Sequence, residues 1–385
     1  PEPLVPGERT RSDQRAPVTP PAWVRPEPTR LELGPRTVVV AGDDAGPPAR
    51  MLAETADWPL LAEPSSGSRT GTHAIRTYRL LLEDLGLGER VERVVVYGHP
   101  TLSRPVTGLI GRDDVELVVV PGPGGATDLT GRGRVENALT VDGKDDPGWL
   151  EEWRARDALT ARALDALLAS KGELLPHQVA RTVAEALPRD GLLYVGASNP
   201  IRDLDLMVPR YEVGGRRFVL ANRGLSGIDG TLSSAIGAVL GRPRTSRAFA
   251  LVGDVTFLHD SNALILGPDE PRPDLTIVVV NDDGGSIFAS LEQGDPSYAV
   301  SFERLFGTPH HVDIAALCAA TRTPHWPVSS IEELAHALAS PAGGIEVVEA
   351  VVGRDGRRAL DAELRGLGAS SGAASPWSHG ETEPT

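Results

Sequence analysis

The sequence predicts an α/β chain made of two domains, each a doubly wound parallel sheet. Three observations predict it. Short runs of near-continuous Val, Leu and Ile recur along the chain, the pattern of strands buried on both faces. Helix-compatible segments alternate with those runs. In residues 248–280 two such runs, 248–252 and 275–280, bracket a helix-compatible segment at 256–266. That is a βαβ unit, so its strands are expected to be parallel, with both carboxyl ends on one edge of the sheet.

Each element follows in order. Residues 1–30 are polar and Pro-rich, with Pro17, Pro20, Pro21, Pro26 and Pro28, and read as an extended linker. A first domain is expected over 31–146. Its strands are 37–41, ending in Gly42-Asp43, then 58–62, 91–97 and 115–120; its helices are 51–56 and 72–85. A connecting segment, 147–175, holds a helix over 147–170 in which Trp149, Trp153, Leu164 and Leu168 recur at helical spacing. A second domain is expected over 176–355. It opens with a helix at 176–186 and strands at 192–195 and 218–221. A small-residue helix at 231–240 precedes the βαβ unit, and 314–320, 331–339 and 345–352 complete the domain. Residues 356–385 read as a tail, disordered from about residue 370 because apolar side chains are few there.

Composition narrows the function. The chain has 385 residues, enough for two sizeable cores, and 40% hydrophobic with only 4% aromatic content means that aliphatic side chains must do the packing. A net charge of −15 argues against nucleic acid as a partner, since phosphates demand a basic face. No apolar run approaches the roughly 20 residues of a membrane helix, and no signal peptide is evident. The single cysteine, Cys318, excludes an intrachain disulfide and fits a reducing, cytoplasmic setting. The chain opens on Pro1 rather than Met, from which we expect a fragment of a longer protein.

The chemistry concentrates at the βαβ unit. Asp254 follows its first strand and Asn281 its second, so a carboxylate and an amide meet at the ligand-binding edge. Such oxygens suit a hard cation such as Mg²⁺, which keeps waters and holds phosphate groups. A plain βαβ unit with polar strand ends is the bland alternative. The spacing resembles the thiamine diphosphate motif, which opens Gly-Asp-Gly and closes Asn-Asn. Val255 and Asp282 depart from it, each replacing the motif's last residue at its end. Three further stretches strengthen the likeness: residues 196–203 (Gly-Ala-Ser-Asn-Pro-Ile-Arg-Asp), 222–230 (Asn-Arg-Gly-Leu-Ser-Gly-Ile-Asp-Gly) and 284–288 (Gly-Gly-Ser-Ile-Phe). Together they resemble one branch of the thiamine diphosphate enzymes, the decarboxylating synthases of menaquinone biosynthesis, from Glu2-Pro3-Leu4 to about Val352.

The resemblance implies two Rossmann-like domains, a central domain and a diphosphate-binding domain, with an N-terminal pyrimidine-binding domain absent from this chain. It implies thiamine diphosphate with Mg²⁺ (or Mn²⁺) held by the side chains of Asp254 and Asn281 and by the main-chain carbonyl of Asp283. Gly253, Asp254 and Val255 would offer the diphosphate N–H donors. Ser226 and Gly227 would approach the aminopyrimidine, Ile228 would prop the cofactor in its bent shape, and Ser198 would stand near cofactor and substrate. The implied reaction is a transfer: 2-oxoglutarate loses CO₂ and its remaining unit adds 1,4 to isochorismate. Both substrates are dicarboxylates, which arginine clamps well. Arg202 and Arg223 are the leading candidates, and Arg104 loosely matches a basic family position. Arg69 is as compatible with a solvated loop as with an anion. Ile287 and Phe288 would wall the reacting centre, or else start a helix that packs into the core. The family's catalytic Glu is expected in the absent domain, so no catalytic acid or base is assigned here and the chain alone is expected to be inactive. The whole protein is expected to be a homodimer or homotetramer, with neither nucleic acid nor membrane as partner. His310-His311 lacks a spaced third ligand, which argues against zinc. Another thiamine enzyme of acetolactate synthase type, or a cofactor-binding fragment without turnover, remain as alternatives.

Overall fold

The computed structural model describes residues 27–83, 86–122, 125–128, 130–208 and 210–370. The Glu2-Pro3-Leu4 segment, most of the expected linker, Pro123-Gly124 and the tail beyond residue 370 lie outside the described residues.

The first unit contains β1 (Thr29–Arg30), β2 (Thr37–Ala41), β3 (Leu60–Ala62), β4 (Arg93–Tyr97), β5 (Glu116–Val120), β6 (Arg134–Val135) and β7 (Leu139–Thr140). Its five-stranded sheet runs in the order β3-β2-β4-β5-β6, all parallel. β1 and β7 form a separate parallel pair. Helices α1 (Pro47–Ala56), α2 (Tyr78–Leu81) and α3 (Arg104–Ile110) connect the strands. The long α4 (Pro147–Ala169) leads to the second unit, its Asp146 cap accepting from the Gly148 N–H. β-branched runs such as Val38-Val39-Val40 form the strands because both faces are covered, and all three side chains are buried.

The second unit contains β8 (Leu192–Val195), β9 (Phe218–Leu220), β10 (Ala248–Gly253), β11 (Leu275–Asn281), β12 (His325–Val328) and β13 (Ile345–Val351). Its six-stranded sheet runs β12-β13-β11-β10-β8-β9, all parallel. Around it lie α5 (Pro176–Ala186), α6 (Asn199–Met207), α7 (Thr231–Leu240), α8 (Asp254–His259), α9 (Ala299–Phe302), α10 (Ile314–Thr321), α11 (Ile331–Ala339) and α12 (Arg357–Ser370). Two apolar clusters cover the two faces of each sheet. A fifth, joining Leu80, Leu164, Leu168, Leu206 and Leu360, fills the junction between α2, α4, α6 and α12.

Strand order locates the ligand crevice. In an open parallel sheet it lies where the winding reverses, beyond the carboxyl ends of the strands. In the first sheet that point is between β2 and β4, and the chain's own backbone closes it. Asp43 and His99 form a bridge there, and a Cβ on Gly42 would stand 2.0 Å from the Pro100 nitrogen. In the second sheet the reversal falls between β8 and β10, and there a cavity opens.

Two predicted helices differ from the structure. Among the described residues of 72–85, only Tyr78–Leu81 (α2) is α-helical. Ala74 pairs with Leu60 beside β3, and Asp157 accepts from the N–H groups of Arg76 and Thr77 at 3.1 and 2.7 Å, which ties these N–H groups to a side chain immediately before α2. The segment expected as a helix over 256–266 begins at Asp254 and ends at His259, with a 3₁₀ turn following. Asp260 breaks it by turning its carboxylate onto the Ser233 N–H of α7, at 2.7 Å. The stretch read as the start of a tail is α12, packed on α2 and α4.

Candidate functional site

A cavity of about 350 Å³ lies at the reversal point of the second sheet. Three groups of residues line it. Ser198, Asn199, Arg202 and Asp203 come from the turn after β8 and from α6. Gly253, Asp254, Val255 and Thr256 follow β10, joined by Asp282 and by Gly284 to Phe288 after β11. Ser226 and Ile228 come from the loop before α7. Asn199 Nδ2 donates to Ser286 Oγ at 2.8 Å and so links two of these walls. Ser198 (φ 72°) and Ser226 (φ 53°) both hold left-handed backbone, a conformation that costs energy in non-glycine residues and clusters at ligand-clamping turns.

The register of the sheet explains the oxygen cluster. Gly253 pairs with Val280, so Asp254 and Asn281 are the next residues out at the same edge. Asp254 is only 2% exposed. Its Oδ1 accepts from the Val255 N–H at 2.7 Å, and its Oδ2 from the Gly284 N–H at 2.8 Å and from His310 Nε2 at 2.9 Å. Burial raises its pKa, against the pull of those donors. Asp282 beside it is pushed up to about 7, first by burial and then by the charge of Asp254. Two neighbouring carboxylates at one cavity repel, and a divalent cation relieves that repulsion.

The donor set can therefore be tested against Mg²⁺ or Mn²⁺. The Asp254 carboxylate and the Asn281 amide are hard oxygens and fit. Glu349 accepts from Asn281 Nδ2 at 2.5 Å, which fixes the orientation of that amide, and Asn281 Oδ1 accepts from the Asp283 N–H at 3.0 Å. The Asp283 carbonyl fits less well, because it accepts from Arg354 Nη1 at 2.9 Å. A metal ligand there requires that guanidinium to yield.

Not every residue expected at the site lines the cavity. Asn281, Asp283 and the exposed Gly227 are not among the residues that line it. Arg223, 3% exposed, turns to Thr101 of the first unit and donates to its Oγ1 at 3.0 Å. Arg104 also stays outside. Its side chain is 75% exposed and pairs with Glu292 at 2.7 Å. Arg69 is neither a solvated loop residue nor open to a ligand: it is buried and bound to Asp205 at 2.8 Å. Sequence reasoning missed His310 against Asp254, a contact across 56 positions that no local pattern signals. It also missed Asp203 as a wall residue, although Asp203 directly follows Arg202 in a singled-out motif.

Comparisons with known proteins agree with this architecture. Residues 206–349 match the family model described as thiamine pyrophosphate enzyme, C-terminal TPP binding domain. In fold the chain is similar to the benzoylformate decarboxylase from Polynucleobacter necessarius, with a TM-score of 0.53 at 17% identity over 83% of this chain and 62% of that one. A 2-succinyl-5-enolpyruvyl-6-hydroxy-3-cyclohexene-1-carboxylate synthase from Nocardioides sp. is 64% identical over 95% of the chain, which spans 70% of that enzyme. The same-named enzymes of Kineococcus radiotolerans and Paenarthrobacter aurescens are 49% and 44% identical over 86% of the chain, which spans 60% and 59% of their lengths. The chain therefore belongs to the 2-succinyl-5-enolpyruvyl-6-hydroxy-3-cyclohexene-1-carboxylate synthase family, the thiamine diphosphate-dependent enzymes of menaquinone biosynthesis.

Proposed function

We propose that this chain carries the diphosphate- and metal-binding half of an active site in which 2-oxoglutarate is decarboxylated and its remaining unit added 1,4 to isochorismate. The observation that carries the reading is the single cavity gathering Asp254, Ser198, Arg202, Ile228 and Ile287 from four separate stretches of sequence. Thiamine diphosphate, when bound, supplies the nucleophilic carbon and the electron sink for this chemistry. The protein's part is binding, orientation and exclusion of water. Asp254 and Asn281 would hold Mg²⁺ or Mn²⁺, which would neutralise the diphosphate, and the turn from Gly253 to Val255 would offer it backbone donors once the Val255 N–H is released from Asp254 Oδ1. Ile228 supports the bend of the cofactor. Ile287 and Phe288 form an apolar wall that keeps water from the reacting carbon.

Arg202 is the substrate clamp best supported by the structure. It lines the cavity, and its Nη1 is held by the Ser198 carbonyl at 2.7 Å. Burial presses its pKa down, and the nearby Arg223 and Arg79 press further. That local excess of positive charge is what a dicarboxylate relieves. Arg223 supports from behind, through charge rather than contact. The whole enzyme works in the cytoplasm as a homodimer or homotetramer. Leu225, beside the lining Ser226, and Val300 are fully exposed apolar side chains that suit cover by a second subunit.

The test is calorimetric titration of thiamine diphosphate with and without Mg²⁺, followed by an assay with 2-oxoglutarate and isochorismate. Metal-dependent binding and CO₂ release that requires 2-oxoglutarate are expected. Preference for pyruvate would support an acetolactate synthase type instead, and binding without turnover in the whole protein would leave only a binding role.

A further inference from the structure

The wall made by residues 284–288 belongs to no strand and no long helix; most of it is the 3₁₀ turn Ser286–Ser290. Its backbone groups need partners from elsewhere. The Gly284 N–H donates to Asp254 Oδ2 and the Gly285 N–H to the Gly307 carbonyl, each at 2.8 Å, while the residues that flank the wall are held from one place, residues 354–361. Before the wall, the Asp283 carbonyl accepts from Arg354 Nη1 at 2.9 Å. After it, the carbonyls of Ala289 and Leu291 accept from Arg358 Nη1 at 3.0 and 2.9 Å, and the Ser290 hydroxyl donates to the Asp361 carboxylate. On α6, the cavity residue Asp203 receives the fork of Arg357 at 2.6 and 3.1 Å, with the two side chains 2% and 8% exposed respectively. Arg357 Nε also faces Asp361 at 3.2 Å. The base of α12 is anchored by Leu360 and Leu364 in the junction cluster. Residues 354–361 thus contribute nothing to the lining, yet they tie both walls together.

We propose that residues 354–361 are a positioning clamp that sets the spacing between the Ser198 and Arg202 wall and the Ile287 and Phe288 wall, with Arg357 and Arg358 as its positioning residues. The proposal rests on the synthase reading above. Its physical basis is that guanidinium forks fix both distance and angle. A site whose walls shift by about 1 Å loses turnover even when no contacting residue has changed.

Arg358→Ala is the informative variant, because that side chain is 43% exposed and its loss leaves the core untouched. In the unliganded chain, amide hydrogen exchange across residues 284–291 is expected to quicken by about tenfold, with β10 and β11 unchanged. Unchanged exchange overturns the clamp. In the whole enzyme, kcat/KM for 2-oxoglutarate is expected to fall by about tenfold to a hundredfold. Affinity for thiamine diphosphate with Mg²⁺ should hold within about twofold, as expected for a residue acting on the substrate side. Arg358→Lys, which keeps the charge and N–H donors on a single nitrogen of an unforked side chain, should be intermediate. Faster exchange with unchanged kinetics, or an equal loss of cofactor affinity, also overturns the assignment. An inactive unsubstituted enzyme would sink the synthase reading instead, and the exchange measurement would still decide the clamp.

Discussion

Glu63 is a carboxylic acid sealed where the two units meet. Its Oε1 accepts from the Leu102 N–H at 2.9 Å, while its Oε2 finds no hydrogen-bond partner among the described residues. Burial, the leading cause, together with the charges of Asp205 and Asp43, pushes its pKa from 4.5 up to about 8, against the Leu102 N–H and Arg223. Between those two values the folded chain holds a proton that the unfolded chain has released. This group therefore makes stability fall as pH rises through that window, by at most about 1.4 kcal/mol per pH unit. Glu63→Gln should flatten the slope and raise stability most at pH 8; parallel denaturant titrations at pH 5, 6.5 and 8 measure it, and identical slopes would refute it. At the cavity, Asp254→Ala removes the one charged side chain proposed to hold the metal. It should abolish the Mg²⁺ dependence of thiamine diphosphate binding in calorimetry, and an unchanged titration would remove Asp254 from the metal site. Arg202→Ala should cost about 1.5–3 kcal/mol in kcat/KM for 2-oxoglutarate, the worth of a charge-assisted contact. Cofactor affinity should move far less; if both fall together, Arg202 shapes the diphosphate site rather than clamping substrate.

Among the elements, α4 shows why some of the fold was legible in the sequence. Trp149, Trp153, Leu164 and Leu168 recur at helical spacing, and the structure buries all four on one face of the helix. Leu164→Ala should cost about 2–5 kcal/mol, the range for a fully buried leucine, in denaturant unfolding. Leu159, 39% exposed on the same helix, serves as the control and should change little. Strands β8, β10 and β11 were legible too, as near-continuous apolar runs of strand length, and β13 was legible despite Glu346 and Glu349 within it. Helix α6 was not: no element is expected between the strands at 192–195 and 218–221, and in the structure Asn199 and Pro200 open a helix. Helix α12 was hidden for another reason. Residues 356–385 read as a tail, and the partners of Arg357, Arg358 and Asp361, namely Asp203, Ala289 and Ser290, are set by tertiary structure alone. The cavity was legible where motifs lie beside strand ends, as with Asp254 and Ser198. It was illegible where a long side chain chooses its direction, as with Arg104 and Arg223.

Across the whole molecule, the two units meet at charges rather than at water. Arg69 of the first unit reaches Asp205 of α6 at 2.8 Å, with both side chains at most 4% exposed, and Tyr78 donates to the same carboxylate oxygen at 2.8 Å. Arg69 also donates to the backbone carbonyls of Ala62 at 2.9 Å, Asp205 at 2.6 Å and Val208 at 3.2 Å, so it fastens α6 to the loop that follows β3. The two partners are therefore not equivalent. Asp205→Asn keeps an oxygen for Arg69 and Tyr78 and loses the charge, for which about 1–3 kcal/mol is expected. Arg69→Met leaves the buried carboxylate only Tyr78 and the more distant Arg79, at 3.8 Å, and strands the carbonyls, and should cost about 3–5 kcal/mol. It should also uncouple the units. Trp58, Trp149 and Trp153 are buried in the first unit or on α4, so with the other three tryptophans, Trp23, Trp326 and Trp377, replaced by Phe, fluorescence reports that side, whereas circular dichroism reports both. In the unsubstituted chain the two thermal transitions should coincide. In Arg69→Met they should separate, and a lower but still coincident transition would show that the apolar junction of Leu80, Leu164, Leu206 and Leu360, rather than this ion pair, binds the two units into one cooperative body.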